Sequence, residues 1–237
     1  MKITPLLLAG ALALTSGNLW AASGRQDSID RLQMSSDVLR SIMSTPDKGI
    51  PDEVVKDAKC IVVVPHLVKG GFVVGGEHGR GIASCRTPEG WSAPAFVSVG
   101  GGSWGLQIGV EGVDLVMVVM NDRGLQHLLG DKFQLSGDAS ASAGPVGRHA
   151  SAGTDWKMTT EVLTYSRSHG IFAGVTLDGA VVEQDTDSTR AIYGRDASFR
   201  SVLSGNVRPP QSTLSFMRVV GEIGRAGTLA EATPGQQ

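Results

Sequence analysis

Glycine interrupts nearly every apolar run in this chain of 237 residues. It occurs 32 times, about twice the roughly 7% of an average protein. From Ile61 to Met120 the apolar runs are short and rich in Val, Ile and Phe: Ile61–Val64, Gly71–Val74, Ala95–Val99, Leu106–Val110 and Val113–Met120. Runs of this length are strand-sized, and the glycines between them supply the positive φ of tight turns. The pattern predicts one α+β domain with a Gly-rich, mainly antiparallel β core and helices at its N- and C-terminal ends.

The first residues read differently. Met1-Lys2 is a minimal positive start, Leu6 to Leu14 is apolar, and Asn18 to Ser23 ends in small residues. A bilayer span needs about 20 apolar residues, so this run is too short and has the wrong flanks. Residues 1–22 are therefore expected to be a signal peptide cut near Ala22. No cysteine lies nearby to carry a lipid anchor. The mature chain is expected to be exported and periplasmic, either soluble or peripherally membrane-associated.

The formal charge is −2, and loss of Lys2 takes it to −3, which argues against a nucleic-acid partner. The charge is uneven, however. Arg190, Arg195, Arg200, Arg208, Arg218 and Arg225 face only Asp196 and Glu222, a local +4. Such a run suits a solvated helical face or an anionic partner. The two cysteines, Cys60 and Cys85, flank a pair of apolar runs and could meet across neighbouring strands. Export would permit a bridge; whether the Cα separation allows one is left open by the sequence.

Along the chain, Ile29, Leu32, Leu39, Ile42 and Met43 predict a helix over Gln26–Ser44, ended by Pro46. Pro51 opens a second helix over Asp52–Ala58. Residues 23–58 are thus the N-terminal helices and 59–225 the main domain. Asn121-Asp122 should cap a short helix closed by Gly130. Ser136 to Thr154, rich in Gly, Ala and Ser, is read as closely packed small-residue strands rather than a linker. Trp156–Tyr165 and Gly170–Leu177 are expected strands, and Asp178-Gly179 a hairpin turn before Ala180-Val181-Val182. Helices follow over Asp187–Tyr193, over Asp196–Leu203 and after Pro209-Pro210. Residues 226–237 should form a disordered tail.

Several ordered blocks carry a resemblance. They are Ala58–Pro65, Lys69–Gly76 with Gly79-Arg80-Gly81, Gly90–Phe96, Gly105–Gly109, Ala143–Arg148, Tyr165–Gly174 and Tyr193-Gly194. In this order they resemble the SYLF-domain family, which includes bacterial exported proteins and eukaryotic adaptors of endocytosis that bind phosphoinositides and, in some members, actin. The chain looks like the bacterial exported branch. The resemblance implies a lipid-binding, non-enzymatic module without a cofactor. An exported chain with no adaptor domain after its core is not expected to bind actin.

The candidate ligand contacts are cations beside Gly-rich backbone. Gly144-Pro145-Val146-Gly147-Arg148 could place N–H groups and a guanidinium around a phosphate, or be a turn with an exposed Arg. Lys69-Gly70-Gly71 offers a similar choice. Lys69, Arg80 and Arg148, with Arg167 and Arg195, are the expected contacts to an anionic lipid headgroup. The alternatives are a structural or protein-interaction role in the envelope, and a serine hydrolase at Ser103. Gly101-Gly102-Ser103-Trp104-Gly105 matches the G-x-S-x-G elbow, but its flanks read as strand on both sides. The five histidines, 66, 78, 127, 149 and 169, form no H-E-x-x-H or H-x-H pair, so no metal site is expected. The first helix has few lysines for a membrane-surface helix and should dock on the sheet.

Overall fold

The Val- and Ile-rich runs form the middle of a ten-stranded sheet. The structure, a computed structural model, describes residues 16–44, 49–71, 74–104, 109–146, 160–168, 171–175 and 177–229. Its strands are β1 (Cys60–Gly71), β2 (Val74–Thr87), β3 (Gly90–Trp91), β4 (Ala95–Trp104), β5 (Gly109–Val119), β6 (Lys132–Gln134), β7 (Ala141–Ala143), β8 (Val162–Ser168), β9 (Ile171–Gly174) and β10 (Val181–Gln184). The order across the sheet is β6-β10-β4-β2-β1-β5-β8-β7, with β3 beside β2 and β9 beside β8. Every pairing is antiparallel except β7 with β8. The helices are α1 (Ser16–Met43), α2 (Asp52–Asp57), α3 (Asp122–Leu128), α4 (Thr186–Tyr193), α5 (Phe199–Leu203) and α6 (Leu214–Leu229).

The sheet is buried on both faces. Side chains alternate along a strand, so Val62 and Val64 face one core and Ile61 and Val63 the other. The first core lies inside the curl of the sheet, where Leu115, Met117, Val97 and Val99 meet Phe199 and Val202 of α5. The second lies under the helical layer. There Ile82, Phe96, Val116 and Tyr165 meet Leu32 and Leu39 of α1, Val54 and Val55 of α2, and Phe216 and Val220 of α6.

Two local devices fix the strand pairing. Cys60 and Cys85 stand directly opposite each other on β1 and β2, with Cα atoms 3.9 Å apart, and are joined by a disulfide. Further along, the β1 register slips at Pro65-His66, where His66 has φ 57°. Proline has no N–H to donate there, so the ladder is broken where a bulge costs least. The His66 N–H turns to Asp114 Oδ1 at 3.1 Å instead.

Most element expectations hold among the described residues, though those on 105–108, 147–154 and 156–159 lie outside them, and Gly71–Val74 is no strand of its own, since β1 ends at Gly71 and β2 begins at Val74; three more need revision. Helix α1 begins at Ser16, ten residues before Gln26, and runs unbroken past Ala22. The run Leu19-Trp20-Ala21-Ala22 carries no helix breaker. Asp178-Gly179 is a turn, with Gly179 at φ 84°, but it joins no hairpin. It carries the chain from β9, beside β8, to β10, between β4 and β6, at the other side of the sheet. A turn motif specifies a local reversal and says nothing about which strand lies opposite. Helix α6 continues to Leu229, beyond Ala226, where the tail was expected to begin; residues 230–237 lie outside the described part.

Close backbone approach explains one glycine of the Ser136–Thr154 stretch. A Cβ on Gly144 would fall 2.0 Å from the ring of the fully buried Tyr165. Gly144→Ala should therefore destabilise the fold by about 2 kcal/mol. Replacing Cys60 and Cys85 together by Ser should cost roughly 3 kcal/mol, the chain-entropy value for a loop of this size. Urea unfolding midpoints check both.

Candidate functional site

The expected cations do not converge. Lys69 and Glu77 are cross-strand partners on β1 and β2, with Nζ 3.4 Å from Oε2. Glu77 shares its face with Gly79 and Gly81, which abut Val64 and Leu67 of the inner core. Arg80 lies on the opposite face, with Ile82 of the helical-side core. Arg167, on β8, is also on the helical side but three strands away. Its Nε donates to Asp114 Oδ2 at 2.9 Å, and its Nη1 to Ser41 Oγ on α1. Arg195 is exposed just after α4 and has no ion pair among the described residues. Arg148 lies outside the described residues.

The polar centre of the molecule is a residue that sequence reading passed over. Asp185 caps α4, accepting from the Ser188 N–H at 3.0 Å and its hydroxyl at 2.8 Å. Its Oδ2 also accepts from Arg31 Nη1 of α1 at 3.0 Å and lies 3.3 Å from Arg80 Nη2. Arg31 is 4% exposed, and its guanidinium carbon sits 5.4 Å above the Phe96 ring centre. Burial pushes the Asp185 pKa up, but Ser188, Arg31 and Arg80 together outweigh it and hold the carboxyl below its ordinary value. Burial also lowers the pKa of Arg31, and Asp185 partly offsets this. The signal for the cap was an Asp three residues before Ser188; nothing local pointed to Arg31, 154 residues away.

Beside this cluster lies an open polar groove of about 450 Å³. It is lined by His78, Arg80 and Ser98 and by three acids, Glu183, Asp185 and Asp187. Ser98 donates to Glu183 at 3.3 Å. With three carboxylates against one half-exposed guanidinium, the groove does not favour a lone anion.

Other arginines serve as helix clamps. Arg86 donates to the carbonyls of Val55 and Ala58, both at 2.9 Å, closing the C-terminus of α2, and stacks on Trp91 at 4.7 Å. Arg25 of α1 donates to Ala191 O at the end of α4, at 2.6 Å. Arg200 donates to Leu129 O. The remaining basic residues of the C-terminal run, Arg190, Arg195, Arg208, Arg218 and Arg225, are exposed and have no ion pair among the described residues. Arg218 and Arg225 are seven residues apart on α6 and share its outer stripe with the exposed Leu214 and Glu222.

Ser103 is not set as a nucleophile elbow. It lies within β4, opposite Gly75 of β2, and only residues 105–108 separate β4 from β5. The elbow requires strand–turn–helix, and there is no room for the helix. Among the described residues no group of three or more His, Cys, Asp or Glu could hold a metal ion. No helix there is long and apolar enough to cross a membrane.

Residues 100–223, from β4 to α6, match the profile of the family described as Ysc84, Las17-binding protein actin regulator. This chain belongs to that family. The SYLF resemblance read from the ordered blocks is the same relationship. The chain is 34% identical over 180 residues to rat SH3 domain-containing YSC84-like protein 1, covering 75% of this chain and 53% of that one. It is 32% identical over 178 residues to LAS seventeen-binding protein 3 of Saccharomyces cerevisiae, covering 73% and 39%. A Schizosaccharomyces pombe SH3 domain-containing protein is 36% identical over 176 residues, covering 72% and 40%. The chain thus spans about half or less of the length of these relatives. The matched segment contains Asp185 and four of the five exposed arginines, but neither Lys69 nor Arg80.

The depressed pKa of Asp185 fixes a pH dependence. Its folded value lies below the unfolded value near 3.9, so its stabilisation is complete above that range and is lost as pH falls through the folded value. Asp185→Asn weakens the charge-assisted hydrogen bond from Arg31 and should cost about 2 kcal/mol at neutral pH. As pH falls through the folded value of Asp185, the difference between the two proteins should shrink; denaturant unfolding at neutral pH and along a falling acid series checks this.

Proposed function

We propose that this chain is a non-enzymatic binding module, exported to the cell envelope, that docks on anionic lipid headgroups through the exposed arginines of its C-terminal third. The observation that carries this reading is that Arg190, Arg195, Arg208, Arg218 and Arg225 are exposed without ion-pair partners among the described residues, whereas Lys69 and Arg167 are engaged by Glu77 and Asp114. An unpaired guanidinium retains its full attraction for phosphate and can take two oxygens at once. Leu214, 45% exposed on the Arg218 stripe, adds an apolar contact at the acyl boundary. The expected signal segment and the Cys60–Cys85 bridge both favour an exported, oxidising location.

A second reading is protein docking, since the family description and the yeast relative's name both concern binding to a Las17 protein. In this reading the envelope partner would replace the lipid. Cross-linking in intact cells separates the two: a single protein adduct from a chain with no vesicle affinity favours docking.

Vesicle co-sedimentation tests the lipid reading. The protein should pellet with vesicles containing anionic lipid and not with neutral ones, and salt should release it. At about 1 kcal/mol per Arg near the surface, Arg218→Ala with Arg225→Ala should weaken binding by roughly thirtyfold. Lys69→Ala should leave it unchanged. Equal recovery on neutral vesicles, insensitive to salt, would overturn the reading.

A further inference from the structure

The inward face of α1 changes chemistry along its length. Towards the C-terminal end it buries Val38, Leu39 and Ile42 against the sheet. Towards the N-terminal end the fully buried positions include Ser28 and Ser35, with Arg31 at 4% exposure. The serines hold nothing across the interface. Ser28 Oγ donates to Gly24 O of its own helix, and Ser35 Oγ has no hydrogen-bond partner. Among residues 24–31 only Ile29, partly buried, adds an apolar contact. Residues 24–31 are therefore attached mainly by two guanidiniums: Arg25 on the last carbonyls of α4, and Arg31 on Asp185.

The latch is asymmetric. If Arg31 withdraws, Asp185 still has the Ser188 N–H and hydroxyl and stays 3.3 Å from Arg80. The carboxylate is not stranded, and Arg31 leaves for water. Breaking a buried pair is costly when one charge is orphaned, and here neither is.

We infer that residues 24–31 of α1 form a strap that opens locally, hinged near Leu32–Ser36, with the Arg31–Asp185 pair as its latch, while residues 37–43 stay docked. Opening uncovers the Phe96 ring, which Arg31 now covers, beside the groove lined by Arg80 and Asp185. It also releases Arg25 and Arg31 from their internal acceptors. In the closed state Asp185 acts as an internal anion for two guanidiniums.

Thiol labelling tests this in the full chain. Among the described residues there is no free cysteine, so one introduced thiol reports one site. Ser28→Cys and Val38→Cys place it at two positions that are both buried on the inward face. Under native conditions the position-28 thiol should react at least about tenfold faster than the position-38 thiol, as local opening precedes global unfolding. Adding Arg31→Met should widen that ratio by roughly another tenfold. Hydrogen exchange of the unsubstituted chain, faster over 25–33 than over 37–43, gives the same answer without a substitution, because a short undocked helix frays. Equal labelling at both positions, or an Arg31→Met effect of the same factor at both, would overturn the strap.

Discussion

The central strands have no solvent face to spare. Because β1, β2, β4 and β5 carry one core inside the curl and another under the helices, nearly every position from Ile61 to Val64 and from Leu115 to Val119 must be apolar. Polar chemistry is thereby pushed to the ends of the strands and into the helical layer. There it gathers at a few points where several elements meet. Asp185 joins α1, β2 and α4, and Asp114 joins the β1 bulge to β8. These carboxylates position the helices on a sheet whose own stability comes from burial.

This division explains why the cations most prominent in the sequence are poor ligand contacts. A strand cation beside a long buried sheet is within reach of a cross-strand acid, and both Lys69 and Arg167 have found one. The exposed arginines of the C-terminal third lie on helices or in the turns between them, where such acids are fewer. Association through them leaves the sheet untouched, which suits a module that holds a surface rather than transforms a substrate.

The sheet was legible because β-branched runs between glycines admit few alternatives. The Asn121 cap of α3 and the stops of α4 at Gly194 and of α5 before Gly205 were equally local. The cysteine pairing was readable as a possibility, since the two runs that Cys60 and Cys85 flank lie next to each other in the chain, and the Cα separation of 3.9 Å decides it. What could not be read was long-range. Arg31 and Asp185 carry no local mark of each other, and an arginine at a buried helix position looks like any solvated one. The Asp178-Gly179 turn was recognised correctly as a turn, yet the strand opposite β10 is set by the curl of the whole sheet. The exposed arginines were visible as a charge run, but only the structure distinguishes Arg200, spent on the Leu129 carbonyl, from its neighbours.

The placement of the covalent cross-link has a consequence for the geometry of the entire sheet. Cys60 and Cys85 are direct opposites at the end of the β1–β2 ladder, so the bond is compatible with only one alignment of β1 on β2. In a sheet with two cores, sliding one strand by a single residue would exchange the two sets of side chains and empty both cores of their partners. Glycine-rich strands resist such slippage poorly, having few side chains to object. The sulfur bridge acts as a peg at the end of a smooth rail: it settles the alignment that the glycines alone would leave free.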